Sequence, residues 1–72
     1  MDRQYVCPQS VLISRANFTL KEAVKWLNRF GFADHKVDIT KKYYRFRQKD
    51  PKIFKYFVTE DVGDGNKIIF GY

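Results

Sequence analysis

The chain has 72 residues, a net charge of +6 from 14 Lys and Arg against eight Asp and Glu, and 44% hydrophobic and 18% aromatic content. That is one domain, too rich in aromatic surface to be a disordered segment yet small enough to bury only about 60% of its unfolded area. A single cysteine, Cys7, excludes an internal disulfide, and no apolar run approaches the ~18 residues of a membrane span.

In chain order, residues 1–9 carry no periodic pattern and Pro8 interrupts them, which reads as an irregular N-terminal arm ahead of a single domain at 10–72. Nothing at the N-terminus has the charge and apolar order of a signal peptide. A soluble, intracellular protein without a membrane partner is therefore expected. Val11-Leu12-Ile13, bounded by Ser10 and Ser14, reads as a first strand.

A helix follows from about residue 20 to 30. Thr19 is a preferred N-cap, and Glu22, three positions on, completes a capping box with Phe18 and Ala23 at the staple positions. Leu20, Ala23, Val24, Leu27 and Phe30 share one face at ~100° per residue, with Trp26 at its edge. Lys21, Lys25, Asn28 and Arg29 take the other. Gly31 stands where a left-handed residue ends a helix.

A connection then carries Asp34, His35 and a short extended piece around Val37-Asp38-Ile39. The long strand at about 42–49 is the most informative stretch. Side chains alternate across a strand, so Tyr44, Phe46 and Gln48 point one way and Tyr43, Arg45, Arg47 and Lys49 the other. Asp50-Pro51 ends it, because proline cannot donate to a ladder. A single turn at Lys52 to Phe54, a third strand at 56–60, a glycine-rich hairpin at Val62 to Asn66 and a fourth strand at 67–72 complete the chain.

The expected fold is α+β in the order β-α-β-β-β: a mainly antiparallel four-stranded sheet, its last three strands a meander, with one helix packed on one face. Leu12, Leu20, Val24, Leu27, Phe30, Tyr44, Phe46, Ile68 and Phe70 form the expected core.

Catalysis finds little purchase. A Cys7/His35 dyad would join the arm to the loop after the helix without a third group to orient the base. Zinc wants four Cys or His ligands and the chain offers these two. Glu60, Asp61 and Asp64 lack the ligand spacing of a calcium loop, and Gly63 and Gly65 have no following helix to make a phosphate cradle; turn chemistry explains all five. No enzyme, no cofactor and no metal are expected.

The basic and aromatic strand remains. Lys41, Lys42, Arg45, Arg47, Lys49, Lys52 and Lys55 are seven of the fourteen cations, gathered around Tyr43 with one acid, Asp50, among them. Arginine forks grip phosphate and stack on bases, and a tyrosine can stack on an unpaired base. These eight residues are the candidate nucleic-acid contacts, for DNA or RNA without sequence specificity. Against this stands a solvated outer sheet face whose cations discourage edge aggregation. The alternative role is a protein-interaction module, in virion assembly or in inhibition of a host factor, acting as a monomer or a homodimer. The uncovered sheet face, with Phe57 and Tyr43 among cations, supports it. The helix stripe Lys21, Lys25 and Arg29 lies opposite the apolar face and reads as ordinary solvated surface.

Lys36-Val37-Asp38-Ile39-Thr40, Tyr44-Arg45-Phe46-Arg47-Gln48, Phe54 to Thr59 and Gly63 to Ile69 together resemble a small module of tailed-phage and other large-DNA-virus proteins, sometimes appended to head-assembly proteins. The resemblance covers two-thirds of the chain and departs at Asn66 and in the fewer cations of Tyr56-Phe57-Val58. It implies a viral origin and a non-enzymatic role, and it supplies no ligand.

Overall fold

The computed structural model describes residues 6–72. Among them it holds strands β1 (Cys7–Ser14), β2 (Val37–Ile39), β3 (Tyr43–Arg47), β4 (Phe57–Gly63) and β5 (Asn66–Gly71), helix α1 (Leu20–Arg29) and a 3-10 turn at Pro51–Ile53. The fold is α+β, as expected. The sheet has five strands instead of four, all antiparallel, in the order β2-β3-β1-β5-β4.

The sheet differs from expectation in two ways. Val37-Asp38-Ile39 is a true edge strand on β3, and the last strands are not a meander, because β1 sits between β3 and β5. β1 is the strand best suited to the centre. Its Val11 and Ile13 are fully buried, and so is Ser10. A strand with neighbours on both sides satisfies its own backbone groups on both edges, which is what such burial requires.

β1 also begins at Cys7, inside the stretch expected to be an arm, while residues 1–5 lie outside the described residues. Pro8 does not stop the strand. The β3 ladder reaches only Ser10, and the β5 register shifts between Pro8 and Ser10. A proline beside a bulge, with one neighbour strand, loses no ladder bond it would otherwise make. Gln9, at the bulge and 1% exposed, is satisfied: its Nε2 donates to Lys49 O at 3.0 Å and its Oε1 accepts from Ser10 Oγ at 2.9 Å.

Register fixes the faces. Val11 stands opposite Phe46 and Ile68, and Ile13 opposite Tyr44. Val11, Ile13, Phe46 and Ile68 join Ala23 and Leu27 of α1 in one core, flanked by Phe18, Val24, Trp26, Phe32, Tyr44 and Phe70. Leu12 is therefore on the other face and only half-buried, contrary to expectation. Three consecutive apolar residues carry no alternation, so they leave the phase of a strand open. Leu20 (39% exposed) and Phe30 (57% exposed) also leave the expected core. Only the middle turns of α1 touch the sheet, and Phe30 instead tilts against Trp26 at 4.6 Å between ring centroids.

The helix ends match their sequence signals. Thr19 Oγ1 accepts from Glu22 N at 3.2 Å, and Glu22 Oε1 accepts from Thr19 N at 2.9 Å. At the other end Gly31 has φ of 79°. Gly31 N donates to Asn28 O and Phe32 N to Leu27 O, the pair of bonds that makes a Schellman stop. The β4–β5 turn is tighter than expected: Asp64 (φ 55°) and Gly65 (φ 79°) both lie in the left-handed region, as a two-residue type I′ hairpin demands.

Phe46→Ala should cost about 3–5 kcal/mol, since its fully buried ring leaves a cavity. Phe30→Ala should cost less than about 1 kcal/mol. Urea denaturation of both variants checks the facing of β3 and of the helix together.

The Thr19 N–H, and then the Thr19 side chain, hold the Glu22 carboxyl below the usual glutamate range. A lowered folded-state value means stabilisation present above the unfolded value of about 4.3 and lost as pH falls. Wild-type chain should therefore melt higher than Glu22→Gln above about pH 5, and the difference should shrink as the pH falls from about 4.3 through the lowered folded-state value.

Candidate functional site

Cross-strand pairing sorts the β3 residues without ambiguity. Tyr44 and Phe46 pair with Ile13 and Val11 on the helix side. Tyr43, Arg45 and Arg47 pair with Ser14, Leu12 and Ser10, on the face that α1 does not cover. Continuing across the sheet, that face carries Asp38 beside Arg45, then Lys67 and Ile69 of β5, then Asp61 and Thr59 of β4. The basic row is thus concentrated on β3, and the acids lie on β2 and β4 to either side. Lys21, Lys25 and Arg29 belong to the helix and share no face with the row.

The row is not uniformly solvated. Arg47 is exposed, whereas Tyr43 and Arg45 are half-buried. Arg45 lies over the strand junction with its Nε 3.4 Å from Ser10 Oγ, a long and therefore weak contact.

At the β1 C-terminal end of the sheet three connections converge: β1 to α1, β2 to β3, and β4 to β5. They border a cleft of about 630 Å³, open to solvent and lined by Ser14, Arg15, Ala16, Lys41, Lys42, Tyr43, Tyr44 and Gly65. Its lining holds three cations and no carboxylate. Hydrogen bonds within and between the three connections build it. Arg15 N extends the β1–β3 ladder to Lys42 O at 2.9 Å. Tyr43 N donates to Thr40 Oγ1, and that hydroxyl donates back to Tyr43 O, both at 3.0 Å. Asn17 Nδ2 holds Asp64 O at 2.7 Å, and Ser14 N donates to Asn66 Oδ1 at 2.8 Å. Gly65 is required here, for its positive φ and because a Cβ would press on Ser14 and Asn17 at 3.1 Å.

Arg15 is the residue that sequence reasoning missed. Its Nη1 donates to Thr40 O at 2.6 Å and Lys41 O at 3.4 Å, and its guanidinium carbon stands 5.8 Å from the Tyr44 ring centroid. It lies 26 residues from Lys41 along the chain, so no local pattern joins them. Its position directly after an apolar strand was the one available signal.

The opposite end of β3 collects a second group. His35, Lys36, Arg47, Gln48, Lys49 and Asp50 surround a smaller cleft of about 130 Å³. Gln48 ties the segment down, with Nε2 donating to Ala33 O and Oε1 accepting from Ala33 N, both at 2.8 Å. Of the eight candidate residues, Lys41, Lys42 and Tyr43 line the first cleft, Arg47 and Lys49 the second, and Arg45 lies between. Lys52 and Lys55 join neither lining. They belong to the 3-10 turn and its exit, where Lys55 N bonds Tyr72 O. That segment is pinned by Phe54, whose ring covers Gly71 so closely that a Cβ there would collide with it.

Among the described residues no three His, Cys, Asp or Glu side chains are grouped to hold a metal ion, and no helix is long and apolar enough to cross a membrane. No protein-family model, curated protein or solved structure matches the chain.

Proposed function

We propose that this chain is a small non-catalytic module that binds nucleic acid without sequence specificity, through Tyr43, Arg45 and Arg47 on the uncovered face of β3. Lys41, Lys42 and Lys49 support them at the two ends of the row, with Lys52 and Lys55 as outlying cations. The observation that carries this reading is the register of β3 on β1, which aligns the row on the face away from the core. Arginines at two-residue steps, about 6.8 Å apart along a strand, meet a backbone of regularly spaced phosphates, and phosphate contacts dominate such binding. On the resemblance carried by Lys36 to Thr40 and Tyr44 to Gln48, the setting is a virus-encoded protein working inside its host cell.

A second reading has its own observation. β4 is an edge strand exposed along its whole length, and Phe57, Val58 and Val62 on it are 47%, 39% and 41% exposed. Such an edge can accept a strand from a protein partner or a second copy. Binding through β4 would leave the β3 row dispensable, which separates the two readings.

Arg47→Ala should leave stability within about 0.5 kcal/mol, as for other exposed positions. It should flatten the dependence of log affinity on log salt by about 0.9 on duplex DNA or about 0.7 on a single strand. Adding Arg45→Ala should roughly double the change. Fluorescence anisotropy across a salt series reads both. Absence of any binding at about 50 mM salt would end the proposal, and unchanged affinity in the double variant would return the row to plain solvated surface.

A further inference from the structure

We infer that the cleft between Arg15, Lys41, Lys42 and Tyr43 receives an unpaired nucleotide, so that the chain prefers single-stranded nucleic acid over duplex. This rests on the proposed nucleic-acid reading and specifies which form is bound.

Size and chemistry agree. About 630 Å³ falls within the ~300–1,000 Å³ that small-molecule sites occupy, room for one base with its sugar and phosphate. A nucleotide needs cations for the phosphate and a flat apolar surface for the base. The cleft spans the end of the sheet: Arg15 reaches it from the Tyr44 side, Lys41 and Lys42 from the turn, and Tyr43, half-buried, from the uncovered face. The cations serve the first need and the Tyr43 ring the second.

The site is also built in advance. Thr40 grips both backbone polar groups of Tyr43, which fixes where the ring leaves the turn. Thr40 O and Lys41 O take Nη1 of Arg15 while Tyr44 lies beneath its guanidinium. The Nε–Nη2 edge of the fork then remains for a phosphate, and a guanidinium held in this way loses little freedom on binding. A duplex cannot use such a cleft, because its bases are stacked and paired inside and only phosphates reach the protein. A single strand can insert one base and continue along the Arg45 and Arg47 face toward Lys49. Stacking on a tyrosine and phosphate contact along a basic track are the usual means of gripping single strands.

Anisotropy titrations at about 50 mM salt would compare labelled oligothymidylate with the same strand paired to oligoadenylate. Wild type should bind the single strand about 5- to 150-fold more tightly, the range expected for one stacked base. Tyr43→Leu and, separately, Lys41→Ala with Lys42→Ala should each bring the single strand close to duplex affinity. Arg15→Ala should do the same, and circular dichroism melts would confirm that each variant is folded. Free thymidine monophosphate should displace the strand only at far higher concentration, since it lacks the contacts along β3. Equal wild-type affinity for both forms, or a preference that survives all these variants, overturns the inference. If Arg45→Ala with Arg47→Ala then still weakens both forms equally, the broader proposal stands alone. Displacement by the mononucleotide as readily as by the strand would make the cleft a pocket for free nucleotides and overturn strand binding there. Absence of binding by both single strand and duplex overturns both proposals.

Discussion

The register of β1 against β3 is the constraint on which the rest depends. Val11 opposite Phe46 and Ile13 opposite Tyr44 commit the even-numbered residues of β3 to the core. Because side chains alternate with period two along a regular strand, the same pairing commits Tyr43, Arg45 and Arg47 to the other face. A slip by one residue would bury two arginines under α1 and expose Phe46, a loss far beyond the marginal stability of so small a domain. The core thus protects the arrangement of the basic row, although no core atom touches a ligand.

Polar side chains at the ends of the sheet hold that register. Gln9 and Gln48 bond the backbone around Lys49 and Ala33 at one end. Asn17 and Asn66 tie the β4–β5 hairpin to the end of β1 at the other. These bonds span 15 to 52 positions of sequence, so they tie together segments that lie far apart along the chain. One atom is left over. Nδ2 of Asn66 is buried without a partner among the described residues, a cost of about 1–3 kcal/mol accepted beside the cleft that Ser14 and Gly65 help to line.

Much of this was legible from local pattern. The Thr19–Glu22 box and Gly31 set the helix ends, and the two-residue alternation of 43–48 separated the faces of β3. Asp64-Gly65 marked a hairpin. The errors arose where local pattern is silent. Val11-Leu12-Ile13 is apolar throughout, so nothing in it says which residues face the helix. That β1 is central depends on pairing with β3 and β5, strands that lie beyond the helix and far along the chain. Leu20 and Phe30 sit correctly on the apolar stripe, but the sheet is reached only by the middle turns of α1. Of the candidate site, the row on β3 was readable, whereas Arg15 and the cleft exist only once three connections meet.

The most direct test of this two-faced strand is the accessibility of single cysteines introduced along it in a Cys7→Ser background. Thiol-modification rates at Arg45→Cys, Phe46→Cys, Arg47→Cys and Gln48→Cys should alternate, fast at 45 and 47 and slow at 46 and 48. Single-stranded DNA should slow modification at 45 and 47 and leave 46 and 48 unchanged. Fast modification at 46, or protection by DNA at the even positions, would contradict the account.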